Sequence, residues 1–297
     1  MKKTIVVLGA TGKVGGKISE ILLKEGYNVR LVAQTTEKLE NFSKLGAELI
    51  PADITDVDIL SEIFRGADAA FVMTPPHFGA KSYRDFQRRV GDAVVEAVQR
   101  SGIKNIVNLS SSGAHMHEGN GLIGGLAEQE VKLNQLNDAN VLHLRPAYFL
   151  DNALLNIQLI KEAGFNGTTA DAEHEIPMVA TKDVAEIAAN HLIKLDFDDK
   201  SVQGILGSRN YSFNEITKII GQAIGKPDLQ YLQFSIEQSI SAMVNFGISA
   251  DVARDITNME LSLKKGIMNY EVRTAKNTSP TSAETFISEV FLPMYNA

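Results

Sequence analysis

The chain contains no cysteine, which excludes disulfides, thiol nucleophiles and thiolate metal sites together. Any demanding chemistry is left to a bound cofactor or to oxygen and nitrogen side chains. A basic excess is also missing. Lysine and arginine number 29 against 36 acidic residues, a formal net charge of -7, and no basic cluster offers itself to a phosphate backbone. Nucleic acid is therefore not an expected partner. No apolar stretch approaches the roughly 20 residues that a membrane helix needs, so no membrane span is expected. Met1-Lys2-Lys3 before Ile5-Val6-Val7-Leu8 has the look of a secretory signal, yet the apolar run is short and enters glycines without an Ala-x-Ala pattern. It reads as a buried first strand. These absences fit a cytoplasmic protein, in which the sequons at Asn166, Asn210 and Asn277 carry no glycan.

What is present is a core-forming composition, 44% hydrophobic over 297 residues, enough for one α/β unit with an elaborated lobe or for two domains. The pattern alternates. Thr4 to Leu8 is a β-branched run, and Val14, Ile18, Ile21 and Leu22 follow at helical spacing up to Gly26. Further strands are expected at Asn28 to Ala33, before Pro51-Ala52-Asp53, at Ala69 to Met73, at Asn105 to Leu109 and at Val141 to Leu144. Helices fall between them: a short one carrying Leu39, Phe42 and Leu45, then Ile59 to Phe64, Phe86 to Val98 and Ala127 to Leu136. Uninterrupted apolar strands signal a parallel sheet covered on both faces. After Arg145-Pro146 the regularity loosens. Gly164 to Glu175 reads as loop, Asp183 to Leu195 as helix, Gly204 to Leu206 as a short strand, and helices dominate from Tyr211 onward.

Gly9-Ala10-Thr11-Gly12-Lys13-Val14-Gly15 places glycines at G-x-x-G-x-x-G between the first strand and first helix. There a tight turn brings backbone amides to a pyrophosphate, and the helix N-terminus stabilises its charge. A mononucleotide P-loop is excluded, because Thr11 stands where its first glycine belongs and Ile18 where its magnesium-binding hydroxyl belongs. The expected cofactor is NAD(P), held by Gly9, Thr11, Gly12, Lys13, Val14 and Gly15. The second strand ends Val32-Ala33-Gln34-Thr35-Thr36, with no acid to take the ribose hydroxyls of NAD. Lys13 and Lys38 read either as charges for a 2′-phosphate or as exposed helix-start lysines, which leaves a slight preference for NADP.

The spacing resembles the short-chain dehydrogenase/reductase superfamily, and within it the NmrA-like branch of quinone and triphenylmethane reductases, isoflavone-reductase-like enzymes and redox-sensing regulators. The likeness is carried by Gly9-Ala10-Thr11-Gly12 with Gly15-Gly16, by Ala52-Asp53-Ile54-Thr55, by Phe71 to Pro76, and by Leu144-Arg145-Pro146-Ala147-Tyr148-Phe149-Leu150-Asp151-Asn152. The resemblance implies Asp53 against the adenine, Met73, Thr74 and Pro75 along the nicotinamide ribose, and Ser110 with Ser111 beside the nicotinamide. Relatives that use NADP usually carry arginine at the position of Gln34, a departure here.

The superfamily's Tyr-x-x-x-Lys pair, in which lysine lowers the tyrosine pKa for proton exchange, is absent. The residues four after each tyrosine are Leu31, Gln87, Asn152, Glu215, Ser235 and Thr274. The region where the pair would fall reads Gly124-Gly125-Leu126-Ala127-Glu128-Gln129-Glu130. Alcohol dehydrogenation and sugar-nucleotide epimerisation thereby lose their usual acid-base group. Catalytic candidates are Ser111, to orient a substrate oxygen, and Tyr148, with one of Tyr148 and Phe149 facing the cleft and the other the core. No metal site is expected: His115 and His117 lack a third ligand, and Asp196, Asp198 and Asp199 read as a solvated turn. Arg145 is expected to tie neighbouring loops through its planar fork.

The expected architecture is an α/β, Rossmann-type doubly wound parallel sheet with a smaller, mainly helical C-terminal substrate lobe. Residues 1–155 with 178–207 would form the dinucleotide-binding part, and residues 156–177 with 208–297 the lobe. The function this supports is NAD(P)H-dependent hydride transfer to a small apolar acceptor such as a quinone. Phe149, Phe165, Met178, Phe234, Met243 and Phe246 are candidates for its walls. The alternative is a non-catalytic NAD(P)-binding redox sensor. The oligomeric state is left open.

Overall fold

Ile5 and Val7 point to one face of the first strand and Val6 and Leu8 to the other, and all four are fully buried because helices cover both faces. The computed structural model describes residues 2–116 and 118–297. Strands run β1 (Thr4–Leu8), β2 (Asn28–Ala33), β3 (Glu48–Pro51), β4 (Ala69–Val72), β5 (Asn105–Leu109), β6 (Asn140–Pro146), β7 (Tyr148–Phe149), β8 (Phe165–Thr168), β9 (Ile176–Val179), β10 (Lys200–Ile205), β11 (Asn210–Tyr211) and β12 (Gln230–Gln233). Helices run α1 (Lys13–Lys24), α2 (Glu40–Ser43), α3 (Val57–Phe64), α4 (Tyr83–Ser101), α5 (Gly124–Asn134), α6 (Ile157–Ala163), α7 (Thr181–Lys194), α8 (Phe213–Ala223), α9 (Ile236–Asn245), α10 (Ala250–Leu263), α11 (Ala283–Phe286) and α12 (Leu292–Asn296).

The central seven-stranded sheet has the order β3-β2-β1-β4-β5-β6-β10, every neighbouring pair parallel. Chain direction across the sheet reverses between β1 and β4, and crevices of this kind open at the carboxyl ends of the strands. On one face Val14, Ile18 and Leu22 of α1 pack with Val184, Ala188 and Leu192 of α7 over Ile5 and Val7. On the other, Leu60 and Phe64 of α3, Val90 and Val94 of α4 and Leu133 of α5 cover Val6 and Leu8. Local signals set the ends of these helices. Asp56 accepts from the amides of Asp58 and Ile59 at the start of α3. Gly102, at φ +72°, closes α4 in the left-handed region where a glycine carries no steric penalty.

The C-terminal lobe has its own core, built by Tyr148, Ile176, Tyr211, Phe213, Ile216, Ile220, Phe286 and Phe291. It is less purely helical than its sequence suggests. The stretch from Gly164 to Glu175, expected as loop, contains β8, which pairs in parallel with β12. Phe165-Asn166-Gly167-Thr168 has neither alternation nor an apolar run, so only the partner strand reveals it. A three-stranded sheet β11-β9-β7 joins the lobe to the end of β6. Leu45, expected on the buried face of a short helix, is instead exposed because α2 ends at Ser43. No helix among the described residues is long and apolar enough to cross a membrane.

Phe71 sits fully buried at the centre of β4, between β1 and β5. Phe71→Ala is expected to lower unfolding stability in urea by about 3–5 kcal/mol, the range for truncating a core phenylalanine.

Candidate functional site

The turn after β1 is closed by the Gly12 amide donating to the Gly9 carbonyl at 2.9 Å. Gly9 has φ +69°, and a Cβ there would lie 2.7 Å from Met73 Sδ, at the end of β4. Gly15 answers a different need: its Cβ would meet the Gly9 carbonyl oxygen at 2.4 Å, so α1 reaches the strand end only with hydrogen at that position. Gly12 caps α1 without a side-chain hydrogen bond. Among the described residues nothing accepts from the amides of Thr11, Lys13 and Val14. Free amides at the positive end of a 12-residue helix, behind a turn that no side chain fills, form an anion cradle.

The side chains around this cradle are unevenly committed. Lys13 Nζ pairs with Asp151 at 3.1 Å. Asp151, buried, also accepts from the amide and hydroxyl of Thr181, both at 2.9 Å, and so joins the glycine loop to the start of α7. Lys13 is thus a tether as well as a charge. Gln34 and Lys38 are both exposed at the end of β2 and just beyond. Asp53, exposed after β3, accepts from the Thr55 amide and hydroxyl through Oδ1 at 2.9 and 2.8 Å.

From Met73 and Thr74 a cavity of about 440 Å³ runs between the strand ends and the lobe. Ser110, Ser111, Pro146 and Tyr148 continue its sheet side, and Phe213, Ile216, Met259 and Met268 form its lobe side. Both Tyr148 and Phe149 line it, Tyr148 belonging to the lobe core and Phe149 packing against the sheet core under α1 and α7. Burial pushes the Tyr148 hydroxyl far above its ordinary value, so it stays protonated. Ser111 lines the cavity, but its hydroxyl donates to the Ser112 carbonyl at 3.0 Å. Ser110 Oγ and Gln87 Oε1 are buried at the same cavity with no hydrogen-bond partner of good geometry. Such groups cost free energy unless a ligand satisfies them.

Beneath the cavity, a directed chain of hydrogen bonds crosses the sheet. Thr74 Oγ1 donates to Gln129 Oε1 (2.7 Å), Gln129 Nε2 to Asn108 Oδ1 (3.0 Å), and Asn108 Nδ2 to His143 Nδ1 (3.0 Å). His143 Nε2 then faces Asn134 Oδ1 at 3.0 Å. The order of donors assigns His143 the neutral Nε2–H tautomer. Burial, helped by Arg145 and Lys200, agrees by pushing its pKa down to about 4. Arg145 ties β6 to α5, gripping Glu130 with Nε at 2.9 Å and Nη2 at 2.5 Å, and also lies against Tyr270 in the loop after α10. At Gly124 and Gly125 a Cβ would lie 2.2 Å from Arg84 Nη2 and 2.1 Å from Gln87 Oε1. The segment where the superfamily's pair would fall therefore lies tightly against side chains of α4.

Several residues proposed for the walls lie elsewhere. Phe165 and Phe234 pack edge to face on each other with centroids 6.0 Å apart. Phe246 is 79% exposed, and Met243 does not reach the cavity. Of the six, Phe149 and Met178 line it. His115 packs its ring on Tyr270 at 3.9 Å, while His117 lies outside the described residues. Asp196 accepts from the His191 ring at 2.6 Å, and no group of three or more metal-binding side chains occurs among the described residues. Gln87, Asn166, Thr168 and Glu260 escaped the sequence reading. For Glu260 a signal existed: it shares the apolar helical face of Val252, Ile256, Met259 and Leu263.

Residues 1–123 match the model of the NmrA-like family. Over 283 residues the chain is 25% identical to an uncharacterized oxidoreductase, YesF, of Bacillus subtilis (strain 168), covering 93% of this chain and 90% of that protein. The NADPH-dependent quinone oxidoreductase QOR2 of Escherichia coli, crystallised with NADPH, superposes with a TM-score of 0.81 at 19% identity, over 97% of this chain and 99% of its own. The negative transcriptional regulator NmrA, crystallised with NADP, superposes with a TM-score of 0.72 at 16% identity, over 99% of this chain and 97% of its own. The fold, central sheet and lobe together, is thus shared with NAD(P)-binding proteins of known structure.

Although burial opposes it, the Arg145 guanidinium holds the Glu130 carboxyl below its ordinary range. The pair's contribution is present above the ordinary carboxyl range and is lost as pH falls through the folded Glu130 pKa. Arg145→Met leaves that carboxyl buried and unpaired, which costs about 3–5 kcal/mol at neutral pH. The variant's folded Glu130 pKa lies above its unfolded value, so its deficit against the wild type should shrink as pH falls. Urea unfolding at a series of pH values measures this, and a deficit independent of pH would contradict it.

Proposed function

We propose that this protein binds NAD(P)H and reduces a small apolar acceptor such as a quinone. The observation that carries the reading is the mainly apolar cavity that begins beside the glycine loop, at Met73 and Thr74, and continues under the lobe. It meets the usual form of a ligand site, apolar walls with a few convergent polar groups. The cradle residues fit a dinucleotide: free amides of Thr11, Lys13 and Val14 for the pyrophosphate, Met73 to Pro75 for the ribose, and Ser110 with Ser111 at the nicotinamide end. A reduced nicotinamide, when bound, supplies a hydride. The chain's own part is to hold the acceptor against that end and exclude water, with Tyr148, Phe149, Met178 and Phe213 as walls. The Ser110 hydroxyl, beside the Glu130 carboxyl, is placed to orient a polar atom there. The names of QOR2 and YesF agree with an oxidoreductase.

Within this reading NADP is preferred over NAD. No acid stands at the end of β2 to hold ribose hydroxyls, Lys38 lies nearby and exposed, and the two structural relatives hold NADPH or NADP. A redox-sensor role has one specific observation in its favour: the segment where the proton-exchanging tyrosine would fall holds Gly124 and Gly125, packed against Arg84 and Gln87, and no tyrosine. The proposed setting is soluble and cytoplasmic, with a small molecule rather than nucleic acid or a membrane as partner.

Steady oxidation of NADPH in the presence of menadione and other quinones or enones is the expected result. Tight NADPH binding by calorimetry, with no turnover across the panel, would establish the sensor instead. In the same titrations Gln34→Asp should shift the NADP-to-NAD affinity ratio towards NAD by roughly tenfold, one charge-assisted hydrogen bond's worth.

A further inference from the structure

Glu260 is a carboxyl group in an apolar wall. Helix α10 turns Val252, Ile256, Met259 and Leu263 inward, and Glu260, 8% exposed, falls on the same face and lines the cavity. The Thr169 amide, at 3.0 Å, and the Thr169 hydroxyl both donate to its Oε2, the Thr168 hydroxyl lies beside the carboxyl, and Oε1 is the oxygen that neither Thr169 group engages. The titratable groups facing it are Tyr148 on β7 and Tyr231 on β12, both neutral because burial pushes their hydroxyls upward. Tyr231 donates to the Ala170 carbonyl at 2.8 Å and lies 2.9 Å from Thr168 Oγ1, so its proton is already committed. The charged neighbours on α10 look outward: Lys264 pairs with Asp171 at 2.7 Å, and Arg254 with Asp251 at 3.7 Å. Among the described residues no cation pairs with Glu260.

An ionised carboxylate in that place would be stripped of water with no countercharge, so the group keeps its proton, and burial raises its pKa accordingly. A neutral carboxylic acid in an apolar site is a strong hydrogen-bond donor. We propose that Glu260 donates a hydrogen bond from Oε1 to a carbonyl oxygen of the acceptor, and thereby selects uncharged, oxygen-bearing apolar molecules over cationic ones. This rests on the reading of the cavity as the acceptor site. It makes the lobe, rather than the glycine loop, the source of acceptor specificity.

Two measurements test it without turnover. Infrared spectra of the cofactor-free protein at neutral pH should show a protonated-carboxyl band that is missing from Glu260→Gln; its absence from the wild type would overturn the assignment. Calorimetric titration should show menadione binding that weakens as pH rises through the Glu260 pKa. Glu260→Gln keeps a donor, and its carbonyl can still accept from Thr169, so its affinity should be near that of the wild type and flat with pH. Glu260→Leu should lose roughly tenfold. Unchanged affinity in Glu260→Leu would refute the proposal. So would tighter binding of a triphenylmethane dye cation, rising with pH and lost in Glu260→Gln, because Glu260 would then be a carboxylate counterion. A protein with the band and the menadione binding but no NADPH oxidation would lose its reductase role and keep this assignment.

Discussion

Helix α1 starts where it does only because residue 15 has no side chain. A Cβ on Gly15 would stand 2.4 Å from the Gly9 carbonyl, which itself closes the turn by accepting from Gly12. That close approach aims the free amides of Thr11, Lys13 and Val14 along the carboxyl edge of the sheet. It also brings Met73, at the end of β4, against Gly9, so the anion cradle and the mouth of the cavity share one boundary. Everything proposed for the cofactor follows from that geometry and from the reversal of strand order between β1 and β4.

Polar groups buried around this crevice hold it open in one shape. Asp151 joins Lys13 of the glycine loop to Thr181 at the head of α7. Glu130 and Arg145 clamp α5 to β6, and the chain from Thr74 through Gln129, Asn108 and His143 to Asn134 fixes the layer beneath. Each of these groups would be costly alone and is satisfied by its neighbours, so the arrangement admits few alternatives. The segment Leu150-Asp151-Asn152 thus belongs to the scaffold as much as to the site.

The absent tyrosine has a physical counterpart. Where that residue would fall, Gly124 and Gly125 lie against Arg84 and Gln87 of α4. The lobe offers Glu260, buried and facing the same cavity.

The alternation of apolar runs with helical spacing determined the parallel sheet, because strands covered on both faces leave no polar face to confuse the pattern. The glycine spacing likewise determined the cradle, since the turn is local in the chain. The lobe resisted for the opposite reason. Strand β8 exists only through β12, more than 60 residues away, and the wall residues were mistaken where aromatic character stood in for position, as with Phe246 on the surface and Phe165 against Phe234. Only the tertiary structure decided that Lys13 is tethered to Asp151 and that Tyr148 and Phe149, which pack in different cores, both line the cavity. Glu260 was legible as a carboxyl on an apolar helical face, but which surroundings that face would meet is set by packing between segments far apart in sequence.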